Sequence, residues 1–193
     1  MSKTYKINEI FYSIQGEGYN AGYPAVFVRF SGCNLACPFC DTDHSQYTEM
    51  TAEQIRQAVE EADGGKETMV VLTGGEPTMQ ITEEENLFPL PCPRFIAIET
   101  NGTNPVPTWV DWVTVSPKLN TPLEQLPEFD EVKLLYQPQN EGYIQQFNKD
   151  GVMAFIQPLE QNGEYNFAEC IQFVKDNPRF KLSLQTHKLI GMK

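Results

Sequence analysis

Residues 25–40 read AVFVRFSGCNLACPFC, in which an apolar run leads directly into a loop that holds three cysteines. The run at residues 25–30 is apolar except for Arg29, and Gly32 lets the chain turn before the first cysteine. A nearly continuous apolar run is typical of a strand covered on both faces, as in a parallel sheet. The stretch therefore predicts a buried strand with a cysteine loop at its end.

Runs of the same kind recur along the chain. Further strands are predicted at residues 69–73, 94–99, 112–115, 131–136, 153–157 and 180–185. Between them, residues 51–63 predict a helix with Thr51 and Gln54 as its capping box. Residues 141–149 and 166–176 predict two more helices, the second capped by Asn166 and Glu169. Strands that alternate with helices favour an α/β fold with a parallel sheet.

Residues 82–93 interrupt this pattern. They combine acidic residues with three prolines, so at most a short helix fits where a full crossover helix would be expected. The remaining elements make about six βα units, fewer than the eight units of a closed barrel of about 250 residues. No break in composition divides the chain, and we therefore predict one domain over residues 1–193.

Composition excludes several classes of protein. The 193 residues hold 14 Lys plus Arg against 26 Asp plus Glu, a net charge of −12 that argues against a binder of duplex nucleic acid. No apolar run reaches the ~18 residues of a membrane span, and no apolar signal segment follows Met1. Five cysteines, three of them within eight residues, favour a cytoplasmic metal site over a disulfide framework.

The cysteine loop has the ligand chemistry of a soft metal. Cys33, Cys37 and Cys40 are four and three residues apart, and their thiolates suit zinc or an iron–sulfur cluster. A zinc knuckle would need a distant fourth ligand, for which the candidates are Cys92, Cys170 and His44. Structural zinc sites usually combine two pairs of ligands, and none of these three candidates has pair spacing. A cluster with three cysteines leaves one iron open, so the spacing favours the cluster.

The pattern Cys-x3-Cys-x-aromatic-Cys resembles the signature of the radical S-adenosylmethionine (SAM) superfamily. In that superfamily three cysteines hold a 4Fe–4S cluster, and the amino and carboxylate groups of SAM chelate the fourth iron. Residues 73–77, TGGEP, follow the next predicted strand and resemble the superfamily's motif for the SAM amine. Two glycines let the backbone approach a ligand closely, although Gly-Gly-Glu-Pro in isolation could form a plain tight turn.

Other segments resemble one family within the superfamily, the 7-carboxy-7-deazaguanine synthases. These segments are FYSIQGEG at 11–18, ETNGT at 99–103, SPK at 116–118, QPL at 157–159 and QTHK at 185–188. The match runs from residue 7 to the end, with Phe39 where Trp is common and a shortened region after Pro77. The resemblance implies a partial, open (β/α)6-type TIM-like barrel of the radical SAM kind, with trimmed helices.

The resemblance also implies a reaction. The substrate would be 6-carboxy-5,6,7,8-tetrahydropterin, and a radical made from SAM would remove hydrogen from C6. The ring would then contract with loss of ammonia to give 7-carboxy-7-deazaguanine, a step of 7-deazapurine (queuosine or preQ0-type) biosynthesis. Such a lyase would use a 4Fe–4S cluster, SAM and Mg²⁺. It would be a cytoplasmic homodimer reduced by flavodoxin or ferredoxin, with no nucleic acid or membrane as a partner.

Site residues follow from the matching positions. Cys33, Cys37 and Cys40 would ligate the cluster and carry its catalysis, and the Thr42 hydroxyl would bind Mg²⁺. The residues expected to contact SAM are Gly75, Glu76, Ser116, Pro117, Lys118, Gln157, Pro158, Leu159 and Glu160. Those expected to contact the substrate are Ile14, Gln15, Gly16, Arg29, Thr73, His187 and the carboxylate of Lys193. For Arg29 the alternative is an ion pair with Asp or Glu, for Thr42 a loop hydroxyl, and for Lys193 a frayed tail.

Two other functions share part of these features. A radical SAM enzyme that activates a glycyl-radical partner would have the cysteine loop and the Gly-Gly-Glu-Pro segment, but would not need residues 13–18 or 185–188. A zinc-binding interaction module would need neither cluster nor SAM.

Overall fold

A computed structural model describes residues 3–38, 40, 43–118, 121–161 and 163–192. The strands are β1 (Thr4–Ile14), β2 (Pro24–Phe30), β3 (Thr48–Thr51), β4 (Met69–Gly74), β5 (Ile96–Thr100), β6 (Trp112–Val115), β7 (Glu131–Leu135), β8 (Ala154–Gln157), β9 (Glu160–Gln161), β10 (Glu164–Tyr165) and β11 (Lys181–Leu182). The α-helices are α1 (Ala52–Asp63), α2 (Glu141–Ile144), α3 (Phe167–Asp176) and α4 (Thr186–Leu189). Short 3-10 turns are Pro77–Met79, Leu123–Gln125, Pro138–Asn140 and Gln145–Phe147.

In the described part of the chain, one sheet has nine strands in the order β11-β8-β7-β6-β5-β4-β2-β1-β3. Strands β2, β4, β5, β6, β7, β8 and β11 run parallel, whereas β1 is antiparallel to both β2 and β3. The order ends at β11 and β3 instead of returning on itself, so the sheet is open. This confirms the predicted open α/β barrel.

The sheet is curved, because its inner face surrounds one cavity. Four strands separate β2 from β8, so in a flat sheet these two would lie about 24 Å apart. Alternate side chains of both strands nevertheless line the same cavity, Arg29 from β2 and Gln157 from β8. Lower on the inner face, the small residues Ala25, Val71 and Ala97 pack together and fill the interior.

The outer face is covered by helices only in part. Ile55 and Val59 of α1 pack on β1, β2, β4 and β5, while Cys170 and Phe173 of α3 pack on β7 and β8. Between β4 and β5 there is only the 3-10 turn Pro77–Met79, and an extended segment covers the core there with Ile81, Leu87 and Phe88. The trimmed helices are therefore confirmed.

The loop between β1 and β2 crosses the open side of the barrel. The backbone N–H of Gly18 donates to Ser183 Oγ at 2.9 Å, just after β11. The next N–H, of Tyr19, donates to Glu131 Oε2 on β7 at 2.7 Å, and the Tyr19 ring stacks on Trp112 of β6 at 5.1 Å. This loop thus joins the first hairpin to β6, β7 and the segment after β11, across the sheet from β2.

Several local predictions are confirmed and others are wrong. The capping box of Thr51 and Gln54 is present at the start of α1. That of Asn166 and Glu169 is not, because the Asn166 side chain accepts from Leu159 N at 2.7 Å and donates to Tyr136 O at 2.9 Å. The helix predicted at 141–149 is a single α-turn followed by a 3-10 turn, and the strand at 180–185 shortens to two residues. Strands β1, β3, β9 and β10 have no counterpart among the predicted strands.

Within the described residues, no helix has the length and apolar character needed to cross a bilayer.

Candidate active site

A cavity of about 530 Å³ lies at the carboxyl ends of the parallel strands. The strand residues that line it are Phe11, Ile14, Phe27, Arg29, Thr73, Gly74, Glu99, Thr100, Lys133, Leu135, Gln157 and Glu160. Its volume falls in the range of about 300–1,000 Å³ that small-molecule sites occupy. Loops at the carboxyl ends of barrel strands are where such folds build active sites.

The cysteine loop forms one wall of this cavity. Cys33, Cys37 and Cys40 all line it, and the backbone N–H of Leu35 donates to Cys33 Sγ at 3.4 Å. The Asn101 amide nitrogen lies 3.9 Å from the same sulfur. Among the described residues no three Cys, His, Asp or Glu side chains are gathered closely enough to hold a single metal ion. Burial raises the pKa of the Cys37 thiol, while the Lys118 ammonium opposes this shift.

The Gly-Gly segment packs backbone to backbone against the start of the cysteine loop. Gly75 N donates to Phe30 O at 2.9 Å, and Glu76 N donates to Gly32 O at 3.0 Å. Gly74 has a φ of +115°, and a Cβ at either glycine would overlap the backbone of residues 30–32. The two glycines are therefore required for this close approach, and both line the cavity next to Thr73.

Glu76 has a different position from the one expected for a SAM ligand. Its side chain is fully buried, and it is absent from the cavity wall. Oε1 accepts from Thr78 N at 3.1 Å, from Thr78 Oγ1 at 2.5 Å and from Thr100 Oγ1 at 2.7 Å, while Oε2 accepts from Asn101 N at 2.7 Å. The carboxylate thus ties the end of β4 to the end of β5, and it does not face the cavity where the resemblance places SAM.

The other residues expected at SAM lie at or just after the ends of β6 and β8. Those that line the cavity are Ser116, Lys118, Gln157, Pro158, Leu159 and Glu160, whereas Pro117 does not. Gln157 is buried, and its Oε1 has no hydrogen-bond partner in the described structure. A buried acceptor without a partner is unfavourable, and an N–H donor from a ligand would satisfy it. Burial lowers the pKa of Lys118, and the neighbouring Lys133 ammonium shifts it in the same direction.

The residues expected at the substrate come from both ends of the chain. Ile14, Gln15 and His187 line the cavity, and Gly16 lies directly behind His187, with its carbonyl accepting from Thr186 N at 3.2 Å. Arg29 also lines the cavity, and its Nε donates to Glu9 Oε1 at 3.0 Å, so the ion pair considered as an alternative is present. Thr42 and Lys193 lie outside the described residues.

Sequence reasoning missed a buried charge network on the cavity wall. Lys133 of β7 is 5% exposed, and its Nζ forms ion pairs with Glu17 Oε2 at 2.5 Å and with Glu99 Oε2. Burial alone would lower the pKa of Lys133, but the two carboxylates raise it above its ordinary value. Burial alone would raise the pKa of Glu17, but Lys133, Gln185 and His187 together lower it to about 2. The available signal was a lysine inside an apolar strand, since a buried lysine requires a counter-charge.

His44 is a cavity residue that the sequence offered only as a possible fourth zinc ligand. Its Nδ1 accepts from Gly32 N at 3.4 Å, which leaves the proton on Nε2, and Nε2 is buried without a partner in the described structure. The ring lines the cavity beside Gly75, whereas Cys92 and Cys170 do not line it. Two of the three candidates for a fourth zinc ligand are therefore distant from the cysteine loop.

Comparison with known proteins adds independent findings. Residues 27–119 match the protein family described as the Radical SAM superfamily. A 7-carboxy-7-deazaguanine synthase of Bacteroides thetaiotaomicron is 44% identical over 188 residues, which cover 97% of this chain and 98% of that protein. A 7-carboxy-7-deazaguanine synthase of Caulobacter vibrioides is 37% identical, with 98% and 99% of the two chains covered. The crystal structure of QueE from Escherichia coli superposes with a TM-score of 0.72 at 28% identity, covering 95% of each chain.

Proposed function

Because the chain belongs to the 7-carboxy-7-deazaguanine synthase family of the radical SAM superfamily, we infer that its cavity is where a pterin ring is contracted. The chain is a lyase that converts 6-carboxy-5,6,7,8-tetrahydropterin to 7-carboxy-7-deazaguanine with loss of ammonia, in queuosine-type biosynthesis. One observation supports the assignment of this reaction to the cavity. A single cavity collects the cysteine loop, the Gly-Gly turn and the loop that contains Gln15.

The cofactors of the family are a 4Fe–4S cluster and SAM, which when bound supply the radical chemistry that begins the ring contraction. The donor set fits the cluster, because three thiols of one loop face one cavity and thiolates are the usual ligands of iron–sulfur clusters. The N–H of Leu35 and the amide of Asn101 point at Cys33 Sγ and would stabilise its thiolate.

SAM is assigned to the walls next to the cysteine loop. The backbone of Gly75 would approach the methionyl group, and the Lys118 ammonium would pair with its carboxylate. Ser116 and the segment 157–160 would contact the adenosine, where the partnerless Gln157 Oε1 supplies an acceptor. Glu76 would act indirectly, since it holds the turn that carries Gly75.

The substrate is assigned to the opposite end of the cavity. The Arg29 guanidinium, already oriented by Glu9, would bind the carboxylate at C6. Thr73, Ile14, Gln15 and the Gly16 backbone would contact the ring, with His187 as a cap. Mg²⁺ held by the Thr42 hydroxyl and a ring contact from the Lys193 carboxylate remain parts of this proposal that rest on the family resemblance.

Further proposals concern the protein as a whole. We propose that it is one radical SAM domain, and the nine-stranded sheet that extends from Thr4 to Leu182 supports this. We also propose a cytoplasmic homodimer that receives electrons from flavodoxin or ferredoxin. Size-exclusion chromatography with light scattering tests the dimer, and reconstitution with each donor tests the reduction.

The decisive experiment is an anaerobic assay of the reconstituted protein. Iron and sulfide should give a brown protein that absorbs near 400 nm, and addition of SAM, Mg²⁺, a reductant and 6-carboxytetrahydropterin should give 7-carboxy-7-deazaguanine. As a control, Cys170→Ser should load the cluster like the wild-type protein, because the Cys170 thiol lies in the core beneath α3. A colourless protein with bound zinc would favour the interaction module. A loaded protein that cleaves SAM without making the deazaguanine would favour the glycyl-radical activating enzyme.

A further inference from the structure

The buried network on the cavity wall joins three distant segments of the chain. Glu17 comes from the loop after β1, Glu99 from β5, and Lys133 from β7 stands between their carboxylates. Each carboxylate also accepts from a glutamine amide. Gln185 Nε2 donates to Glu17 Oε1 at 2.9 Å, and Gln15 Nε2 donates to Glu99 Oε1 at 3.1 Å.

The network has more acceptor capacity than these contacts use. One ammonium between two carboxylates leaves a charge of −1, and each carboxylate offers about four lone-pair sites. Both carboxylates line the cavity, with side chains of Glu17 and Glu99 that are 13% and 20% exposed. The other charged groups near the network are Lys118, Glu131 and His187. The wall at Glu17 and Glu99 therefore favours a ligand edge that presents N–H groups.

We propose that Glu17 and Glu99, held in place by Lys133, accept hydrogen bonds from the N–H groups of the reduced ring and so select the tetrahydropterin over its oxidised form. This rests on the proposed function, since it concerns the same substrate. In a 5,6,7,8-tetrahydropterin, N5 and N8 each carry a hydrogen. In the fully oxidised pterin both are bare acceptors, whose lone pairs would face carboxylate oxygens.

The physical reason for selection is the cost of a buried mismatch. An acceptor that faces an acceptor loses its hydrogen bond and gains repulsion, and sites built for an N–H discriminate strongly against analogues that lack it. The oxidised compound keeps the carboxylate that Arg29 would bind and the same pyrimidine half. The two ligands therefore differ at the atoms that this wall contacts.

Lys133 acts as a positioning residue in this scheme. Without its ammonium, two buried carboxylates face each other without a counter-charge, and one of them takes up a proton. A protonated carboxyl can donate to the bare nitrogen of an oxidised pterin. Loss of Lys133 should therefore weaken the preference for the reduced ring, and an arginine at this position should retain it.

The test is a binding titration of the anaerobic, cluster-loaded protein with SAM and without reductant, so that no turnover occurs. The ligands are 6-carboxytetrahydropterin and 6-carboxypterin. The wild-type protein should prefer the reduced ligand by roughly 100-fold or more. In Glu99→Gln, whose amide can also donate, the reduced ligand should bind more weakly and the oxidised ligand more tightly. Glu169→Gln, on the exposed side of α3, is the matched control and should keep the wild-type ratio.

Opposite changes in the two affinities are the signature, because a merely structural defect weakens both. A wild-type ratio in Glu99→Gln would overturn the inference. A second comparison covers the case in which Glu99→Gln does not fold. Lys133→Arg should keep the ratio and Lys133→Met should lose it, with Lys175→Met as control, and equal ratios in Lys133→Arg and Lys133→Met would also overturn the inference. If the wild-type protein binds neither ligand, it is the proposed function that fails.

Discussion

The α-carbon of Gly16 lies so close to His187 that a Cβ there would overlap the ring atom Nδ1 and sit 3.0 Å from the His187 backbone N. Residues from the two ends of the chain thus form one part of the cavity. The contact is held by Thr186 N, which donates to Gly16 O at 3.2 Å. The position of His187 therefore depends on the absence of a side chain at residue 16.

The first prediction is that Gly16→Ala displaces His187 and α4 and lowers kcat/KM by roughly 10- to 100-fold, since small misplacements of a binding group are costly. The melting temperature should change little, because α4 is short and near the surface. Gly142→Ala is the control, as a Cβ there meets nothing within 4 Å. Steady-state kinetics of both variants measures the change in kcat/KM. An unchanged kcat/KM in Gly16→Ala would show that His187 does not need its present position.

The second prediction concerns the buried carboxylate of Glu76. In Glu76→Gln an amide NH2 would face the N–H of Asn101 or the donors from Thr78 and Thr100, so at least one buried donor loses its acceptor. We expect the free energy of unfolding to fall by about 2–3 kcal/mol. Urea unfolding of the variant against Glu61→Gln, an exposed position on α1, measures the loss. Equal stability of the two variants would contradict the structural role assigned to Glu76.

The third prediction is a change in acid stability. The folded-state pKa of Glu17 is lowered to about 2 from an ordinary value of 4.5, by Lys133, Gln185 and His187 acting against burial. A lowered pKa means that the stabilisation is present above about pH 4.5 and is lost as the pH falls toward 2. Glu17→Gln should therefore flatten the dependence of the unfolding free energy on pH in that window, while the exposed Glu164→Gln should keep the wild-type slope.

The fourth prediction separates stability from activity. Arg94 is nearly buried, and its NH1 and NH2 pair with Asp63 Oδ2 at 2.6 Å and Glu60 Oε2 at 2.7 Å, before β5 and far from the cavity. Arg94→Met leaves the Asp63 carboxylate buried without its partner, which should cost about 3–5 kcal/mol.

Asp63→Asn added to Arg94→Met should restore part of that stability, because the unpaired charge is removed. At a temperature where it is folded, the Arg94→Met variant should keep its kcat. Strictly additive losses in the double variant would show that the two residues are not coupled.

The features that the sequence predicted are those formed by residues close together in the chain. The strand predicted at 25–30 is present as β2, and the cysteine loop that follows it within the same sixteen residues lines the cavity. Glu76 is the opposite case. Its place in the Gly-Gly-Glu-Pro segment suggested a ligand, but besides Thr78 its partners are Thr100 at the end of β5 and Asn101 just after it, which spacing does not reveal.

The ion-pair network of Lys133, Glu17 and Glu99 could not be predicted from the sequence for the same reason. Lys133 and Glu17 are 116 positions apart, and strand periodicity places Lys133 on a face without naming its partner. Asn166 shows that a predicted capping box can be absent because tertiary contacts use its side chain instead. Its side chain bonds to Leu159 and Tyr136 in place of the helix terminus, because those buried backbone groups need partners.

The loop that carries Gly18 and Tyr19 has a consequence for biosynthesis. It spans the open side of the barrel through bonds to Glu131 and Ser183, which are more than a hundred residues downstream. During translation the cysteine loop leaves the ribosome long before these partners do, so a nascent chain could bind iron before it has a chamber to shield a radical. Contacts over such separations form late in folding. In the order of the chain the metal ligands thus precede the residues that complete their enclosure.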